Sequence, residues 1–540
     1  MTGRGPAPAA PALLGRRVRR AAGAPRRLRP RAPGMTAASV LVAAVLLAPL
    51  VFLLLESSGV GVSAVARLIW RPFTATLLWN TVRLAVVVTA LCAVIGTLAA
   101  WFVERTDLPG RRLWAVLVVV PFAIPDFVVS FGWASLTTWV EGFRGAVLVM
   151  TLGTYPLVYL PVAAALRSAD PGMEEASRSL GVGPVRTFLR VTLGQVRGAV
   201  LGGCLLVVLV LLAEYGAFEI LGYQTFTTEI FTEFQLSFNV QTACALSVVL
   251  VALSVVVLGG DAAASRVRGR VVRSGALAQR VARRHRLGRW TVPVVLAFAA
   301  VAGLALGVPV ASSVYWLFEG GAPALSGVSL LDAGWHTALY GGAAALVDTV
   351  AAVPVALLAV RHPSALSRLL ERSTYVVLAM PGLVVALALT YVTEHYGGGF
   401  GYQTAPLLVL AYAILFFPLA LTGVRASLAH APVRYEEIAR SLGKRRSVVL
   451  VRVILPMVAP GLAAAFALVF LSVVTELTAT LILVPTGVQT LATQFWAYQQ
   501  NLSYAQAAPF ALVIIAVACV PSYVLARHFD RLPSQTEAAP

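Results

Sequence analysis

The peptide Met173-Glu-Glu-Ala-Ser-Arg-Ser-Leu-Gly181 recurs in the second half of the chain as Tyr435-Glu-Glu-Ile-Ala-Arg-Ser-Leu-Gly443. The two copies stand 262 residues apart, and the same offset relates Glu214 to Glu476. Both copies are charged peptides between long apolar stretches. A register kept over this distance indicates an internal repeat, in which each half of the chain is one structural unit.

The sequence around these peptides has the composition of a membrane protein. Hydrophobic residues make up 59% of it and charged residues 12%, whereas aqueous domains carry roughly 25% charged residues. Spanning helices need about 20 mostly apolar residues. Twelve such runs cover residues 37–55, 81–103, 113–136, 145–166, 198–221, 242–260, 291–316, 336–360, 373–393, 405–424, 457–484 and 508–526. None alternates like a barrel strand, so they predict an all-α polytopic membrane protein with about 12 transmembrane helices.

The twelve runs divide into two sets of six. Because six is even, both halves have the same orientation, which predicts two parallel six-helix repeats and a pathway on a pseudo-two-fold axis along the membrane normal. Trp79-Asn-Thr81 and Trp335-His-Thr337 repeat at a slightly different offset of 256. The predicted organisation is a disordered basic tail at 1–36, a first repeat at 37–260, a basic linker at 261–290, a second repeat at 291–527 and a second tail at 528–540.

Positive charge collects on one side of the predicted topology. Loops rich in Lys and Arg stay in the cytoplasm, and a cytoplasmic N-terminus puts 38 of the 42 basic residues in inner segments. We therefore expect both termini to be cytoplasmic. The net charge of +19 then reflects topology, so no nucleic-acid partner is expected, and the tail at 1–35 contacts anionic membrane lipid at most.

The repeated peptide has the features of a short helix that projects into the cytoplasm. Glu174, Glu175 and Arg178 lead toward Gly181, a residue that can adopt the left-handed conformation at a helix end. A polar helix in this position suits docking to a partner. The alternative is an amphipathic helix lying on the membrane surface, but that does not explain two near-identical copies at matched positions.

At these residues the sequence resembles the inner-membrane permeases of binding-protein-dependent ABC importers. Their hallmark is a cytoplasmic Glu-Ala-Ala loop with a glycine a few residues on, which here reads Glu175-Ala176-Ser177 with Gly181, and Glu437-Ile438-Ala439 with Gly443. The resemblance implies the fold of a type I ABC importer permease in a bacterial plasma membrane. It also implies an ATPase subunit dimer and an extracytoplasmic substrate-binding protein as partners. The residues expected to couple to the ATPase are Glu174, Glu175, Ala176, Gly181, Glu436, Glu437, Ala439 and Gly443.

The two copies differ downstream of the glycine. The second continues into Ile454-Leu455-Pro456, as the family pattern does, whereas the first has Thr192-Leu193-Gly194. We therefore expect the two loops to engage their ATPase subunits unequally.

The resemblance covers roughly residues 75–530 and is nearest to fused, two-repeat permeases of the ferric-iron type. It rests on Pro121–Pro125, Ala213–Ala217, Gly222–Thr228, Glu476–Thr480 and Gln489–Thr493. Ferric iron is therefore the substrate it implies. Relatives of the same architecture move thiamine, polyamines or phosphonates, and these stay open as alternatives.

Acidic residues within the predicted spans are candidates for the pathway, since each costs about 2.5–3.5 kcal/mol or more at mid-span and usually faces a cavity or a partner. The candidates are Glu214, Glu476, Asp126, Asp348 and Glu219, with Tyr215 as a possible phenolic ligand. Oxygen ligands suit a hard trivalent cation. The alternative is a structural role, in which a buried carboxylate hydrogen-bonds a neighbouring helix. No high-affinity metal site is expected.

The sequence lacks a phosphate-binding loop of the form Gly-x-x-x-x-Gly-Lys-Ser/Thr. We therefore expect no catalytic residue and no cofactor in this chain, with ATP used by a partner subunit. A proton-coupled secondary transporter is the rival, because two parallel halves with buried carboxylates also describe that class. A channel is disfavoured because no segment resembles a selectivity filter.

Overall fold

The computed structural model describes residues 33–59, 71–237, 239–268, 284–321, 327–398 and 401–531. In the first half these form α1 (Pro33–Gly59), α2 (Pro72–Arg105), α3 (Arg111–Val119), α4 (Asp126–Ala134), α5 (Phe143–Thr154), α6 (Pro156–Ser168), α7 (Pro171–Ser179), α8 (Pro184–Thr187), α9 (Leu193–Ala213), α10 (Gly216–Ile220), α11 (Phe226–Gln235) and α12 (Val240–Arg268).

The second half forms a matching series. It consists of α13 (Thr291–Ala302), α14 (Val308–Gly320), α15 (Gly327–Arg361), α16 (Ala365–Thr374), α17 (Gly382–His395), α18 (Ala405–His430), α19 (Val433–Ser441), α20 (Arg446–Val449), α21 (Leu455–Val474), α22 (Thr478–Leu483), α23 (Leu491–Gln500) and α24 (Tyr504–Arg531).

The helices confirm the all-α polytopic prediction. Among the described residues, 9 helices are long and apolar enough to cross a membrane, and the number rises to 11 if two bent helix pairs each count as one span. A shorter apolar helix covers Tyr504–Cys519. Each of the twelve predicted runs coincides with helix, so hydropathy located the spans correctly.

The third and ninth predicted spans are not straight helices. α3 and α4 meet at 91°, and α16 and α17 meet at 101°. Pro125 and Pro381 stand at these bends, and the residues before them, Ile124 and Met380, have extended ψ angles of 126° and 111°. Proline lacks an N–H and keeps the preceding residue out of the helical region, so the chain must turn at these positions.

The fifth and eleventh predicted spans end earlier than expected. α9 ends at Ala213 and α21 at Val474, and short helices resume at Gly216 and Thr478. Glu214 and Glu476 therefore lie in breaks between two helices, which corrects the expectation that they sit within continuous spans.

Equivalent short helices of the two halves begin and end at positions that differ by the sequence offset of 262 residues. α7 and α19, α8 and α20, and the π-helical turns Phe188–Thr192 and Leu450–Ile454 each stand 262 residues apart. This agreement confirms the internal repeat.

Each half is built around three mutually packed helices, α2, α6 and α9 in the first half and α15, α18 and α21 in the second. A helix from the start of each half packs against the other half. α1 packs against α15, α16 and α17, whereas α14 packs against α4. Each of the two large hydrophobic cores therefore contains side chains from both halves.

The predicted domain boundaries fall partly on undescribed residues. α12 continues to Arg268, beyond the boundary expected at residue 260. Residues 1–32 of the predicted tail, 269–283 of the predicted linker and 532–540 of the second tail lie outside the described residues.

Glycines permit the closest helix contacts of the first half. A Cβ on Gly96 of α2 would lie 2.8 Å from the Tyr155 carbonyl oxygen, and one on Gly203 of α9 would lie 2.7 Å from the Val158 Cα. Both neighbours are backbone atoms that cannot swing aside. Small residues at such crossings allow close packing where lipid removes the hydrophobic driving force.

We predict that Gly96→Val destabilises the protein by about 1–3 kcal/mol, because the added side chain must push α2 away from α6. Thermal unfolding of the detergent-purified protein measures this loss. Gly198→Val is the matched control, since Gly198 of α9 is exposed and a Cβ added there would have no neighbour within 4 Å. An equal loss in both variants would show that the tight crossing is unimportant.

Candidate functional site

The two copies of the repeated peptide form short helices with the same termination. We call α7 the first loop helix and α19 the second loop helix, and the side of the bundle that carries them the loop side. Gly181 and Gly443 end them with φ of 78° and 75°. The next residues close the turn, since the Val182 N–H bonds the Ser177 carbonyl at 3.1 Å and the Lys444 N–H bonds the Ala439 carbonyl at 3.2 Å. This is a Schellman motif, which explains why glycine stands at both positions.

The first glutamate of each pair points into the protein. Glu174 and Glu436 are only 3% and 4% exposed. Glu436 accepts a hydrogen bond from Arg361 Nε at 2.8 Å, and Glu174 lies 3.7 Å from Arg105 Nε. Arg105 and Arg361 are the last residues of α2 and α15. These ion pairs therefore fasten each loop helix to a long helix of its own half.

The two ion pairs are not equivalent. Thr192 donates a hydrogen bond of 2.9 Å to Glu174, whereas the corresponding residue of the second half, Ile454, has no hydroxyl group. The departure from the family pattern thus has a structural consequence, because Thr192 compensates for the longer arginine contact of Glu174.

The second glutamate of each pair faces outward. Glu175 and Glu437 are exposed, as is Ala176, while Ala439 is half-buried. Leu180 and Leu442, next to the terminal glycines, are 82% and 71% exposed. The outer face of each loop helix thus carries an exposed leucine and an exposed carboxylate.

A cavity of about 750 Å³ lies between the two halves. Its deep end is formed by the helix breaks at Pro125, Glu214 and Glu476, and it extends along α6 to Arg167 near the first loop helix. The cavity therefore reaches from the middle of the bundle to the loop side. Phe416 and Leu468 contribute apolar walls from the second half.

Glu214 and Glu476 occupy equivalent places in the cavity wall. The Ala217 N–H donates to Glu214 Oε1 at 2.8 Å, and the Ala479 N–H donates to Glu476 Oε1 at 3.0 Å. Each carboxylate thus caps the short helix that follows the break, where free N–H groups attract negative charge. The cap engages one carboxylate oxygen, and both side chains line the cavity.

Asp126 is the third carboxylate of the cavity wall and has no acidic counterpart. The residue 256 positions later is Gly382, and each begins the helix after a proline bend. A Cβ on Gly382 would lie 2.9 Å from Glu476 Oε1, so glycine leaves room for that carboxylate. Gly153 does the same for Asp126. Asp126 interacts electrostatically with Glu214, and Glu214 with Glu476.

Three other predicted pathway residues lie away from the cavity wall. Asp348 is buried in α15, and its Oδ2 has no hydrogen-bond partner. Glu219 is exposed beyond the break. Tyr215 is buried and stacks on Phe231, with ring centroids 4.3 Å apart. Glu214, Glu476 and Asp126 therefore converge on the cavity, whereas Asp348, Glu219 and Tyr215 do not.

The cavity wall is acidic. Its charged residues are the three carboxylates and Arg167, and Arg167 Nη2 is paired with Glu104 at 2.6 Å. In the part of the chain that the structure describes, no three Asp, Glu, His or Cys side chains are grouped so that they could hold a metal ion together.

Sequence reasoning missed the residues that position these groups. The sequence does contain a signal for Arg105 and Arg361, since each stands at the end of an apolar run and they are 256 residues apart. Gly153 and Gly382 had none, because nothing in the sequence shows which side chain a glycine accommodates.

Comparison with known proteins gives independent matches to both halves. Residues 94–269 and 348–534 each match a sequence model described as binding-protein-dependent transport system inner membrane component. The chain is 37% identical over 505 residues to the Fe(3+)-transport system permease protein FbpB 2 of Haemophilus influenzae, covering 92% of this chain and 99% of that protein.

Matches to sulfate permeases cover a single repeat's length. The chain is 30% identical over 241 residues to the sulfate transport system permease protein CysT of Salmonella typhimurium, covering 41% of this chain and 86% of that protein. It is 28% identical over 191 residues to CysW of Escherichia coli K12, covering 33% of this chain and 66% of that protein.

We predict that Arg361→Met loosens the second loop helix by about 3 kcal/mol, because it removes the closest partner of the buried Glu436 carboxylate. Hydrogen exchange of residues 433–444 measures the change. Arg434→Met is the control, since Arg434 is exposed on the same helix and its loss removes the same charge. Arg105→Met should loosen the first loop helix less, because Thr192 still bonds Glu174. Equal effects of Arg361→Met and Arg434→Met would contradict the anchoring role.

Proposed function

The chain belongs to the family of binding-protein-dependent transport system inner membrane components, and we propose that it is the fused permease of an ATP-driven importer of ferric iron. The observation that carries the choice of substrate is the cavity wall, where three carboxylates from both halves meet. The similarity to a Fe(3+)-transport permease over nearly the full chain supports it.

The loop helices support a division of labour between subunits. Their outer faces offer Glu175 with Leu180, and Glu437 with Leu442, to an ATPase dimer. Their inner faces are anchored through Glu174 and Glu436, so that force on a loop helix is transmitted to α2 or α15. ATP hydrolysis belongs to the partner, and this chain itself is non-catalytic.

The orientation follows from the charges. Lys and Arg are concentrated in the segments predicted to share one side with the loop helices, which supports a cytoplasmic position for the loop helices, the ATPase and both termini in a bacterial cell. A substrate-binding protein delivers its cargo to the opposite face. The cavity open toward the loop side corresponds to the inward-facing state, and closure of the ATPase dimer reverses its access.

Electrostatics favour a cation over an oxyanion. The three carboxyl groups can together balance the formal charge of a trivalent cation, and oxygen is its preferred ligand. A sulfate dianion would be repelled by the same wall, since Arg167 is neutralised by Glu104. The described carboxylates are not grouped as one metal site, so the ion passes from one carboxylate to the next and is not retained.

Uptake of labelled ferric citrate tests the assignment. We predict that a strain lacking this gene loses ferric-iron uptake and keeps thiamine and sulfate uptake, because the carboxylates of the cavity wall offer the oxygen ligands that ferric iron prefers. Complementation with the intact gene should restore iron uptake. Intact iron uptake together with lost thiamine or sulfate uptake would refute iron as the substrate.

The same uptake assay tests whether the carboxylates of the cavity wall contribute to iron transport. Glu214→Gln combined with Glu476→Gln keeps an amide oxygen to cap each short helix but removes the charge, so iron uptake should fall by about tenfold, equivalent to about 1.4 kcal/mol of lost charge stabilisation. Glu219→Gln is the control, since Glu219 is exposed and outside the cavity. Unchanged uptake in the double variant would show that the carboxylates only cap helices.

Reversal of charge on the docking faces separates the importer from a proton-coupled carrier. We predict that Glu175→Arg with Glu437→Arg abolishes transport and co-purification with the ATPase, while leaving thermal stability unchanged because both side chains are exposed. Transport that survives this change but collapses with a protonophore would identify a secondary transporter.

A further inference from the structure

The end of the segment joining the two halves is bound to the first half. Residues 284–287 precede the 3-10 turn Gly288–Trp290 at the start of the second repeat. The His285 N–H donates to the Arg105 carbonyl at 2.8 Å, and the Asp107 N–H donates to the His285 carbonyl at 3.0 Å. The Leu287 N–H then donates to Asp107 Oδ1 at 2.8 Å. Three hydrogen bonds thus fix this short segment beside the loop-side end of α2.

The His285 side chain reaches the first loop helix. Its Nε2 is hydrogen-bonded to Arg178 Nη2, and its ring lies 5.6 Å from the Trp101 ring. Arg178 Nη2 also lies 3.8 Å from Glu174 Oε2. A guanidinium can only donate, so Nε2 must accept, and the imidazole is neutral with its proton on Nδ1.

These contacts form a continuous connection from the linker to the coupling surface. His285 holds Arg178, Arg178 approaches Glu174, and Glu174 is paired with Arg105 at the end of α2. On the second loop helix, Arg440 makes the equivalent approach to Glu436 at 3.7 Å. Among the described residues, no linker residue makes a hydrogen bond or ion pair with Arg440 or Glu436.

We propose that the linker is a latch for the first loop helix, in which His285 is a positioning residue that holds Arg178 and thereby fixes the docking surface of one half. The linker is then more than a tether between repeats. The first loop helix follows α2 as a rigid unit, because two chain segments hold it. The consequence for ATPase coupling rests on the proposed docking role, whereas the latch itself can be measured in the permease alone.

The chemistry of the latch makes it sensitive to acid. The charged groups facing His285 are Arg178 and Arg105, which oppose its protonation, and Glu174, which favours it. Arg284 and Arg286 flank it in the sequence, and the nearby Asp107 carboxylate accepts a hydrogen bond from the Leu287 N–H. Burial and Arg178 lower the pKa of His285 below its ordinary value of 6.5. The latch is therefore intact above pH 6.5 and weakens as the pH falls, since a protonated ring cannot accept from Arg178.

Hydrogen exchange of the purified permease tests the latch without any partner. The measured quantity is the exchange rate of residues 173–181 divided by that of residues 435–443, so that the second loop helix corrects for the intrinsic effect of pH. In His285→Ala at pH 7.5 this ratio should rise by about tenfold, because the linker's hydrogen bond to a charged group is lost. His285→Gln should keep the ratio near that of the unmodified protein, since its amide oxygen still accepts from Arg178.

The pH dependence distinguishes a latch from general stability. Between pH 7.5 and 5.5 the ratio should rise in the unmodified protein and stay flat in His285→Gln, which cannot be protonated. His430→Gln is the matched control, because the His430 ring bonds the Ala426 carbonyl of its own helix. If His285→Ala does not fold, the pH profile of His285→Gln decides alone. An unchanged ratio in His285→Ala, or equal pH profiles for His285→Gln and the unmodified protein, would overturn the latch.

Failure of the latch and failure of the docking proposal give different results. Loss of ATPase co-purification in Glu175→Arg with Glu437→Arg depends on docking, whereas the change in exchange ratio on replacing His285 is measured without any ATPase. If docking holds, His285→Ala should also reduce the substrate moved per ATP hydrolysed, measured in proteoliposomes with the ATPase and ferric citrate.

Discussion

Backbone groups inside a bilayer must find hydrogen-bond partners within the protein, and this constraint determines where the helices of this protein can be interrupted. Four interruptions occur within its predicted spans, two at proline bends and two at the glutamates of the repeat. All four adjoin the central cavity. Non-helical backbone at this depth is tolerated because it lines a cavity and because the Glu214 and Glu476 carboxylates satisfy N–H groups of the following helices.

The same constraint explains why carboxylates line the cavity. A break in a spanning helix leaves unpaired N–H groups, and a carboxylate satisfies them better than a neutral acceptor because it also complements the helix dipole. A carboxylate that satisfies these N–H groups must lie beside the break, so a break that borders the cavity also brings the carboxylate to the cavity. A structural cap and a site for a passing cation are therefore compatible roles of one side chain, and each needs the carboxylate in the same position.

Sequence patterns predicted the elements of the fold but not their directions. Helix occurs at all twelve apolar runs, and the repeated peptide predicted that each loop helix ends at its glycine, because both inferences depend on composition and order alone. The bends at Pro125 and Pro381 turn the chain by about a right angle, which hydropathy does not record.

The pattern also treated Glu174 and Glu175 alike, although one is buried and the other exposed. Successive residues point about 100° apart on a helix, so the distinction depends on the position of Arg105, which only tertiary packing supplies. Tyr215 and Asp348 lie within or next to apolar spans, as cavity residues would, yet they face packed helices.

Fusion of the two repeats into one chain permits differences that two identical subunits could not have. In a symmetric dimer of one repeat, the position of Asp126 and Gly382 would carry two carboxylates or none. Two would bring four negative charges to the axis, and none would leave only the glutamate pair. The fused chain holds three, since Asp126 stands opposite a glycine that also makes room for Glu476.

The same reasoning applies on the loop side, where Thr192 and the His285 segment support the first loop helix and a closer arginine supports the second. A symmetric ATPase pair would then meet two loop helices with similar outer faces but different attachments. The asymmetry is in how each loop helix is attached, while both outer faces expose a glutamate and a leucine.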